Sequence, residues 1–334
     1  MAARVTIKSI AKDLGLSHMT VSRALSGNPN VQKDTRERIE QRARELGYVK
    51  SEAARVMRGE TTRIVGLLLP NIVNEFYARF ANAMALACEA QSLHLIIHLT
   101  NDDSTQERSA FDRLREVQAM AVVMVPSPGD DPEPRPDTGG MRIIQLIRQR
   151  PGLDAHATIL VEDHTAISDA VLHLARAGHR AIAYLGGSCE LSTGRDRLAA
   201  YRAGLAGAGL AENPALIHMD APSFDMGFAR AGQLINEGRA TGIVCGGVEI
   251  SNGALSALMD MGLQPGRDMA FVGYGDPSFY EWIGGGLTTV RLPVEDLAQE
   301  AMALLDMKRE TETKPGPMIH MLQATLITRQ SISG

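Results

Sequence analysis

From residue 64 onward the chain repeats one pattern, a short apolar run bounded by turn residues and then an amphipathic stretch of helical length. The runs are IVGLLLP (64–70), LHLIIHL (93–99), AVVMV (121–125), RIIQLI (142–147), TILVE (158–162), AIAYLGG (181–187), GIVCGG (242–247) and MAFVGY (269–274). Stretches such as 75–91, 165–177, 196–208 and 250–261 separate most of them. Strands that are apolar on both faces and alternate with helices form parallel sheets covered on both sides. These strands are too many for one compact sheet, so the pattern predicts an α/β fold with two doubly wound halves. Ligands in such sheets bind beyond the carboxyl ends of the strands. Chemistry is therefore expected in the loops that follow these runs. One segment, SPGDDPEPRPDTGG (127–140), breaks the rhythm and reads as an extended surface loop.

Residues 1–60 have a different texture. Thr6 is placed to cap a helix from Ile7 to about Leu14, with Ile7, Ile10, Ala11 and Leu14 on one face. Gly15 permits a tight turn, and Ser17 caps a second helix whose Val21, Ala24 and Leu25 face inward. A third helix runs from about Lys33 to Leu46 and stops at Gly47. Small Ala11, the turn at Gly15 and Val21 ten residues after Ala11 have the spacing of a helix-turn-helix, whose second helix enters the DNA major groove. The second helix carries Ser17, His18, Met19, Thr20, Ser22 and Arg23 within seven positions, a polar face that a packing helix would not need.

Charge supports the same division. Residues 1–60 hold 12 Lys/Arg against 7 Asp/Glu, a net of +5, whereas the remainder holds 22 against 32, a net of −10. A basic module ahead of an acidic body fits phosphate-backbone binding, although charge alone also fits an ordinary solvated surface.

Other classes find little support. The 334-residue length predicts two or three domains. Cys88, Cys189 and Cys245 are odd in number and far apart, which supports neither a disulfide framework nor a thiolate metal site. The opening MAARVTIKSIAK has no long apolar segment, and no run of eighteen apolar residues occurs, so a soluble cytoplasmic protein without membrane contact is expected. No phosphate-loop, dinucleotide, zinc-protease or nucleophile-elbow motif is present, so neither an enzyme nor a cofactor is expected. His94 and His98 share a strand face, and Asp102–Asp103 and Asp130–Asp131 fall in loops where solvated surface is the expectation.

These blocks resemble the lactose-repressor (LacI/GalR) family of transcription regulators. The likeness is carried by VTIKSIAKDLGLSHMTVSRALSG (5–27), NVQKDTRERIEQRARELGY (30–48), RIVGLLLPNIVNEFYARF (63–80), HLARAGHRAIAYLGG with RDRLAAYRAGL (173–205), and FVGYGDP and LTTVRLPVEDLAQEAM near the end. The resemblance implies a DNA-binding domain at 1–60 with a hinge helix at about 49–58, then an effector-binding and dimerisation domain at 61–334. Its first lobe is expected at about 61–161 and 291–320, and its second at about 162–290 and 321–334. The implied partners are near-palindromic operator DNA, a small-molecule effector and a second copy, as a homodimer or tetramer.

Roles on the second helix follow residue type. Ser17 and Thr20 suit phosphate oxygens, and Thr6 is counted with them as a DNA contact. His18, Met19, Ser22 and Arg23 are candidates for base edges, and Arg23 could grip guanine in bidentate fashion. Two roles fit Met19, contact with a thymine methyl or helix packing. In the hinge segment, Ser51, Ala54 and Met57 are the expected DNA contacts, with Met57 at the place of an apolar minor-groove wedge. Lys50 and Ser51 depart from the family's Pro and Asn there, so a plain linker also fits.

For the effector, the resemblance carries over Asn74, Phe76, Ser127, Arg148, Arg195, Arg197, Phe224 and Asp276. Arg197 is the firmest, and Phe224 is an aromatic wall. The chain departs from sugar-binding relatives in LIRQ where they have an LIDR-like stretch, in Gly246, Gly247 and Val248 where they have Ala-Asn-Asp, and in Gly275 where they have Asp. Arginines survive while acceptors vanish, which predicts a carboxylate or sugar-acid effector. The competing expectation pairs some arginines with Glu162, Asp163 or Glu249. A binding protein without an operator is the alternative reading of residues 61–334.

Overall fold

The computed structural model describes residues 5–26, 28–48, 62–129, 138–306 and 318–332. Contacts divide the chain into two units, Met1–Thr62 and Arg63–Gly334. The expected hinge helix, with Ser51, Ala54 and Met57, and most of the loop at 127–140 lie outside the described residues.

The first unit holds α1 (Ile7–Leu14), α2 (His18–Leu25) and α3 (Lys33–Glu45). Helix α1 starts with a reciprocal cap, in which Ser9 N–H donates to Thr6 Oγ1 at 3.2 Å and Thr6 N–H donates to Ser9 Oγ at 2.8 Å. It ends at Gly15, whose φ of 66° is the left-handed conformation that only glycine adopts without cost. Ser17 Oγ then accepts the Thr20 N–H at 3.0 Å and starts α2. Ile10, Ala11, Val21, Ala24, Ile39 and Ala43 form the core and orient α2, while Arg42 ties α3 to Asp13 of α1.

The second unit contains two six-stranded sheets. Its first lobe is built from β1 (Ile64–Leu69), α4 (Glu75–Ala90), β2 (His94–Leu99), α5 (Ser104–Glu116), β3 (Ala121–Met124), β4 (Arg142–Leu146) and β5 (Ala157–Glu162). The second lobe follows with α6 (His164–Arg176), β6 (Ile182–Gly187), α7 (Ser192–Gly207), β7 (Ile217–Asp220), α8 (Phe224–Asn236), β8 (Gly242–Cys245), α9 (Val248–Asp260), β9 (Ala270–Tyr274) and β10 (Thr288–Arg291). The chain then returns to the first lobe with α10 (Val294–Asp306) and β11 (Met318–Gln323), and ends in the second with β12 (Thr325–Ile327). The sheet orders are β11-β5-β4-β3-β1-β2 and β12-β10-β9-β8-β6-β7. Every pairing is parallel except β10 with β12.

Burial explains why the strands read as continuous apolar runs. Val65, Leu67, Leu68 and Leu69 of β1 are fully buried, the three odd-numbered residues in one core cluster and Leu68 in the other, on the opposite face of the sheet. A Cβ at Gly66 would collide with Leu114 of α5, so the glycine sets how closely that helix approaches.

The chain crosses between lobes at Asp163, at Leu292–Pro293 and at Ala324, and Ala324 N–H donates to Glu162 O at 2.9 Å across two of these passages. Strand β11 runs through Gln323 in the first sheet, so the third passage falls three residues beyond the boundary expected from the sequence. The apolar-run pattern does not single out β7, β10, β11 or β12. These are short or alternate in burial, β11 with half-buried Met318, His320 and Leu322 against exposed Ile319, Met321 and Gln323. Among the described residues, no helix is long and apolar enough to cross a membrane.

Candidate functional site

In the first unit, the core turns one face of α2 inward and leaves the other to solvent. Val21 and Ala24 are buried, Ser17, His18, Met19 and Arg23 are exposed, and Thr20 and Ser22 are half-buried. Met19 is 52% exposed, which removes packing within this unit as the reason for an apolar residue there. Its neighbours include a hydroxyl pair, Ser17 Oγ and Thr20 Oγ1, 2.8 Å apart. Thr6 is exposed, and its hydroxyl is used in the α1 cap. The surface offers donors, acceptors, one cation and an apolar tip on a rigid helix of two turns.

In the second unit, a narrow cavity of about 70 Å³ lies where the carboxyl ends of both sheets face each other. The first lobe contributes Asn74, Phe76, Ile147 and Arg148, and the second contributes Thr193, Arg197, Gly246, Glu249 and Tyr274. Each arginine is held by a carboxylate, Arg148 by one of its own lobe and Arg197 by one at the first passage between the lobes. Arg148 is paired with Asp102 and also donates to Pro126 O at 3.3 Å. Arg197 donates from Nε to Asp163 Oδ2 at 2.7 Å and from Nη1 to Gly246 O at 2.9 Å. Its guanidinium also lies 4.2 Å from the Tyr274 ring centroid, and the Tyr274 hydroxyl donates to the same Asp163 oxygen. Burial works against the charge on Arg197, but Tyr274 and Asp163 outweigh it and its pKa rises further. Burial pushes the Tyr274 hydroxyl well above its ordinary value, and it also raises Glu249 on the cleft wall.

Backbone strain positions the first-lobe pair. Ile147 has φ 53° and Asp102 φ 55°, left-handed conformations disfavoured for residues with a Cβ and more so for a β-branched one. Arg148 N–H closes a three-residue turn on Leu146 O at 2.6 Å, which swings the chain out of β4 and sets Arg148 against Asp102. Strain of this kind costs about 1–3 kcal/mol and concentrates at functional sites.

The structure thus brings Asn74, Phe76, Arg148 and Arg197 together, but not all the expected effector residues. Ser127 and Arg195 line a second, adjoining cavity with Arg148. Phe224 is 40% exposed and stacks on Phe228 at 6.3 Å, away from the cleft lining, because it starts α8 with its ring along that helix. Asp276 is also outside the lining, bound by Arg291 Nε and Arg329 Nη1 at 2.6 Å each. The inference of vanished acceptors is corrected as well, since Asp102 and Asp163 supply them from other loops. Glu162 binds Thr165 N–H at 3.1 Å and Gln323 Nε2 at 2.7 Å. Of the loop pair Asp102–Asp103, Asp102 departs from the expected solvated surface, half-buried against Arg148, whereas Asp103 is exposed and caps α5 through Thr105 N–H at 2.7 Å. Tyr274 and Thr193 are not among the expected residues, although Tyr274 ends a strand and Thr193 opens a helix at a carboxyl edge, and Glu249, named only as a possible partner of the arginines, lines the cleft without pairing with Arg148 or Arg197.

Known proteins share this arrangement. Residues 6–51 match the family model for bacterial regulatory proteins of the lacI family, and residues 171–332 match that for a periplasmic binding protein-like domain. The HTH-type transcriptional regulator GalR of Escherichia coli (strain K12) is 28% identical over 98% of this chain and 96% of its own length. Catabolite control protein A of Priestia megaterium is 24% identical over 95% of this chain and 96% of its own. The lac repressor dimer bound to operator and the anti-inducer ONPF superposes with a TM-score of 0.84 at 21% identity, covering 99% of this chain and 100% of that one. The regulator CelR in complex with cellobiose gives 0.71 at 24% identity, covering 98% and 100%. At these identities, the structural likenesses establish the fold.

Proposed function

The chain belongs to the lacI family of bacterial regulatory proteins, DNA-binding transcription regulators, and from that premise we propose that it represses a catabolic operon under control of a small molecule held between its lobes. The observation that carries this reading is the exposed face of α2, where Met19 and Arg23 stand outward on a helix whose other face is core. In a homodimer two such helices would read half-sites of a near-palindrome, with Ser17 and Thr20 on phosphates and His18, Ser22 and Arg23 on base edges. Exposed Leu86, Met259 and Trp282 on the second unit supply apolar surface for self-association.

Effector binding would act by shifting the balance between two lobe arrangements, with a coupling typically of about 1–3 kcal/mol, reciprocal between ligand and operator. The cleft itself suits an uncharged hydroxylated group, because Arg148 and Arg197 are already neutralised by Asp102 and Asp163. An anion bound at these arginines would have to displace one of those carboxylates. The names of relatives, such as a cellobiose complex, lean the same way.

The test is retention of sheared genomic DNA by the purified full chain at two salt concentrations. Enrichment of a near-palindromic site, weakening as salt rises, is expected. Equal and feeble retention of all fragments would overturn the reading. Calorimetry with neutral sugars and with acids then tests the effector.

A further inference from the structure

The charged side chains lining the cleft are Asp102, Arg148, Arg197 and Glu249. Arg148 is balanced by Asp102, and Arg197 by Asp163 at 2.7 Å. Glu249 has no such partner. It is half-buried, and among the described residues no ion pair or hydrogen bond reaches its carboxylate. Burial raises its carboxyl, and no cation acts on it in the opposite sense. The cleft therefore carries one negative charge for which the described fold supplies no counter-charge. Tyr77 and Thr193 stand in the same lining, and neither hydroxyl has a hydrogen-bond partner among the described residues. Tyr77 is 6% exposed and lies within the electrostatic reach of Arg148 and Asp102 of the first lobe and Arg197 of the second. A buried hydroxyl without a partner forfeits its hydration without replacement.

Two simpler accounts of Glu249 fall short. An acid in the first turn of α9 suits the helix dipole. The dipole acts equally on an acid facing open solvent, however, and does not require one on the wall of a narrow cleft. A metal ion could supply the missing positive charge, but among the described residues no three side chains converge as metal ligands. An organic cation fits better.

We propose that Glu249 selects an effector bearing a protonated amine, an aminated sugar in preference to a neutral or acidic one, with its ammonium on Glu249 and its hydroxyls on Tyr77 and Thr193. The proposal deepens the effector reading and rests on it: the hydroxylated part still lies beside the neutralised arginines. An ammonium meets the unbalanced carboxylate without displacing Asp102 or Asp163, which an acid at the arginines would have to do. A charge-assisted hydrogen bond is roughly twice as strong as a neutral one, so the amine outcompetes a hydroxyl at the same place.

The test titrates the full chain by calorimetry with glucosamine, galactosamine and mannosamine, at a pH where the amines are protonated. Each is set beside its neutral parent sugar, its N-acetyl form, which keeps the nitrogen without the charge, and the corresponding uronic acid. One amine is expected to bind at least about tenfold more tightly than its parent and its N-acetyl form. Glu249→Gln should reduce that preference to less than about twofold and leave the affinity for the parent sugar unchanged. Glu190→Gln, which neutralises an exposed acid on the loop before α7, should keep the preference. Because Glu249→Gln removes no pairing within the described fold, thermal unfolding should not fall; a role confined to the helix dipole would move stability and not ligand choice. Equal binding of amine and parent, tighter binding of a uronic acid, no binding of any amine, or a preference that survives Glu249→Gln overturns the proposal. Operator retention by the same preparations reports separately on the regulator reading.

Discussion

Arg197 and Asp163 are joined by a 2.7 Å bond from Nε to Oδ2 at the first passage between the lobes. The pair is nearly inaccessible, with side-chain exposures of 12% and 8%. Truncating one partner of a buried pair leaves the other charge stranded. Asp163→Ala should lower the unfolding free energy by about 3–5 kcal/mol, read from urea midpoints of the full chain. Arg197→Lys keeps the charge but loses the planar contact with Tyr274 and the fork to Gly246 O. It should weaken effector binding in calorimetry more than it lowers the midpoint, and equal loss in both would make the residue structural only.

On α2, Arg23→Ala should relax preference at one base pair of the half-site by about 1–3 kcal/mol. Binding-site selection with wild type and variant measures this. A uniform loss on all sequences would mark Arg23 as a phosphate contact instead.

The first unit has a core of its own, in which Ile39 is fully buried. Ile39→Ala should cost that core about 2–5 kcal/mol, enough to abolish operator binding in a small domain. The thermal transition and ligand binding of the second unit should survive. Their joint loss would contradict the division at Thr62.

Two carboxylates give opposite pH effects. Burial raises Glu249, so the folded chain holds that proton more tightly than the unfolded one. Its contribution is therefore present at low pH and declines as pH rises from about 4.3, the unfolded carboxylate value. Glu249→Gln should flatten that decline and add less than about 1 kcal/mol at pH 7. At Asp276 burial pulls upward, but Arg329 and Arg291 outweigh it and hold the carboxyl low. Its stabilisation is complete above about pH 4 and is lost as pH falls through the folded value. Asp276→Asn should therefore destabilise at neutral pH and have little effect in acid, as urea midpoints across pH would record.

Trp282 is 77% exposed. If it covers a subunit interface, Trp282→Glu should shift the sedimentation coefficient toward the monomer and weaken operator binding, with the monomer's ligand affinity kept. Unchanged sedimentation would place the interface elsewhere.

Local patterns made much of this molecule legible in advance. The caps at Thr6 and Ser17 and the turn at Gly15 depend on residues within four positions of each other, so their spacing reports them directly. The long apolar strands are legible for a similar reason: burial on both faces leaves no polar positions to obscure them. Strands β7, β10, β11 and β12 lack that signature, being short or alternating in burial.

The cleft was only half visible. Resemblance placed Arg148 and Arg197 near a ligand, but their charge balance depends on Asp102, 46 residues from Arg148, and Asp163, 34 from Arg197. Periodicity does not report such distances. What the sequence by itself determined is a basic helix-turn-helix module ahead of two parallel-sheet lobes, because caps, turns and apolar periods act within a few residues. Only the tertiary structure decided which charges meet, which arginines are already neutralised and where buried donors stay unsatisfied, because those depend on chain segments that folding brings together from afar.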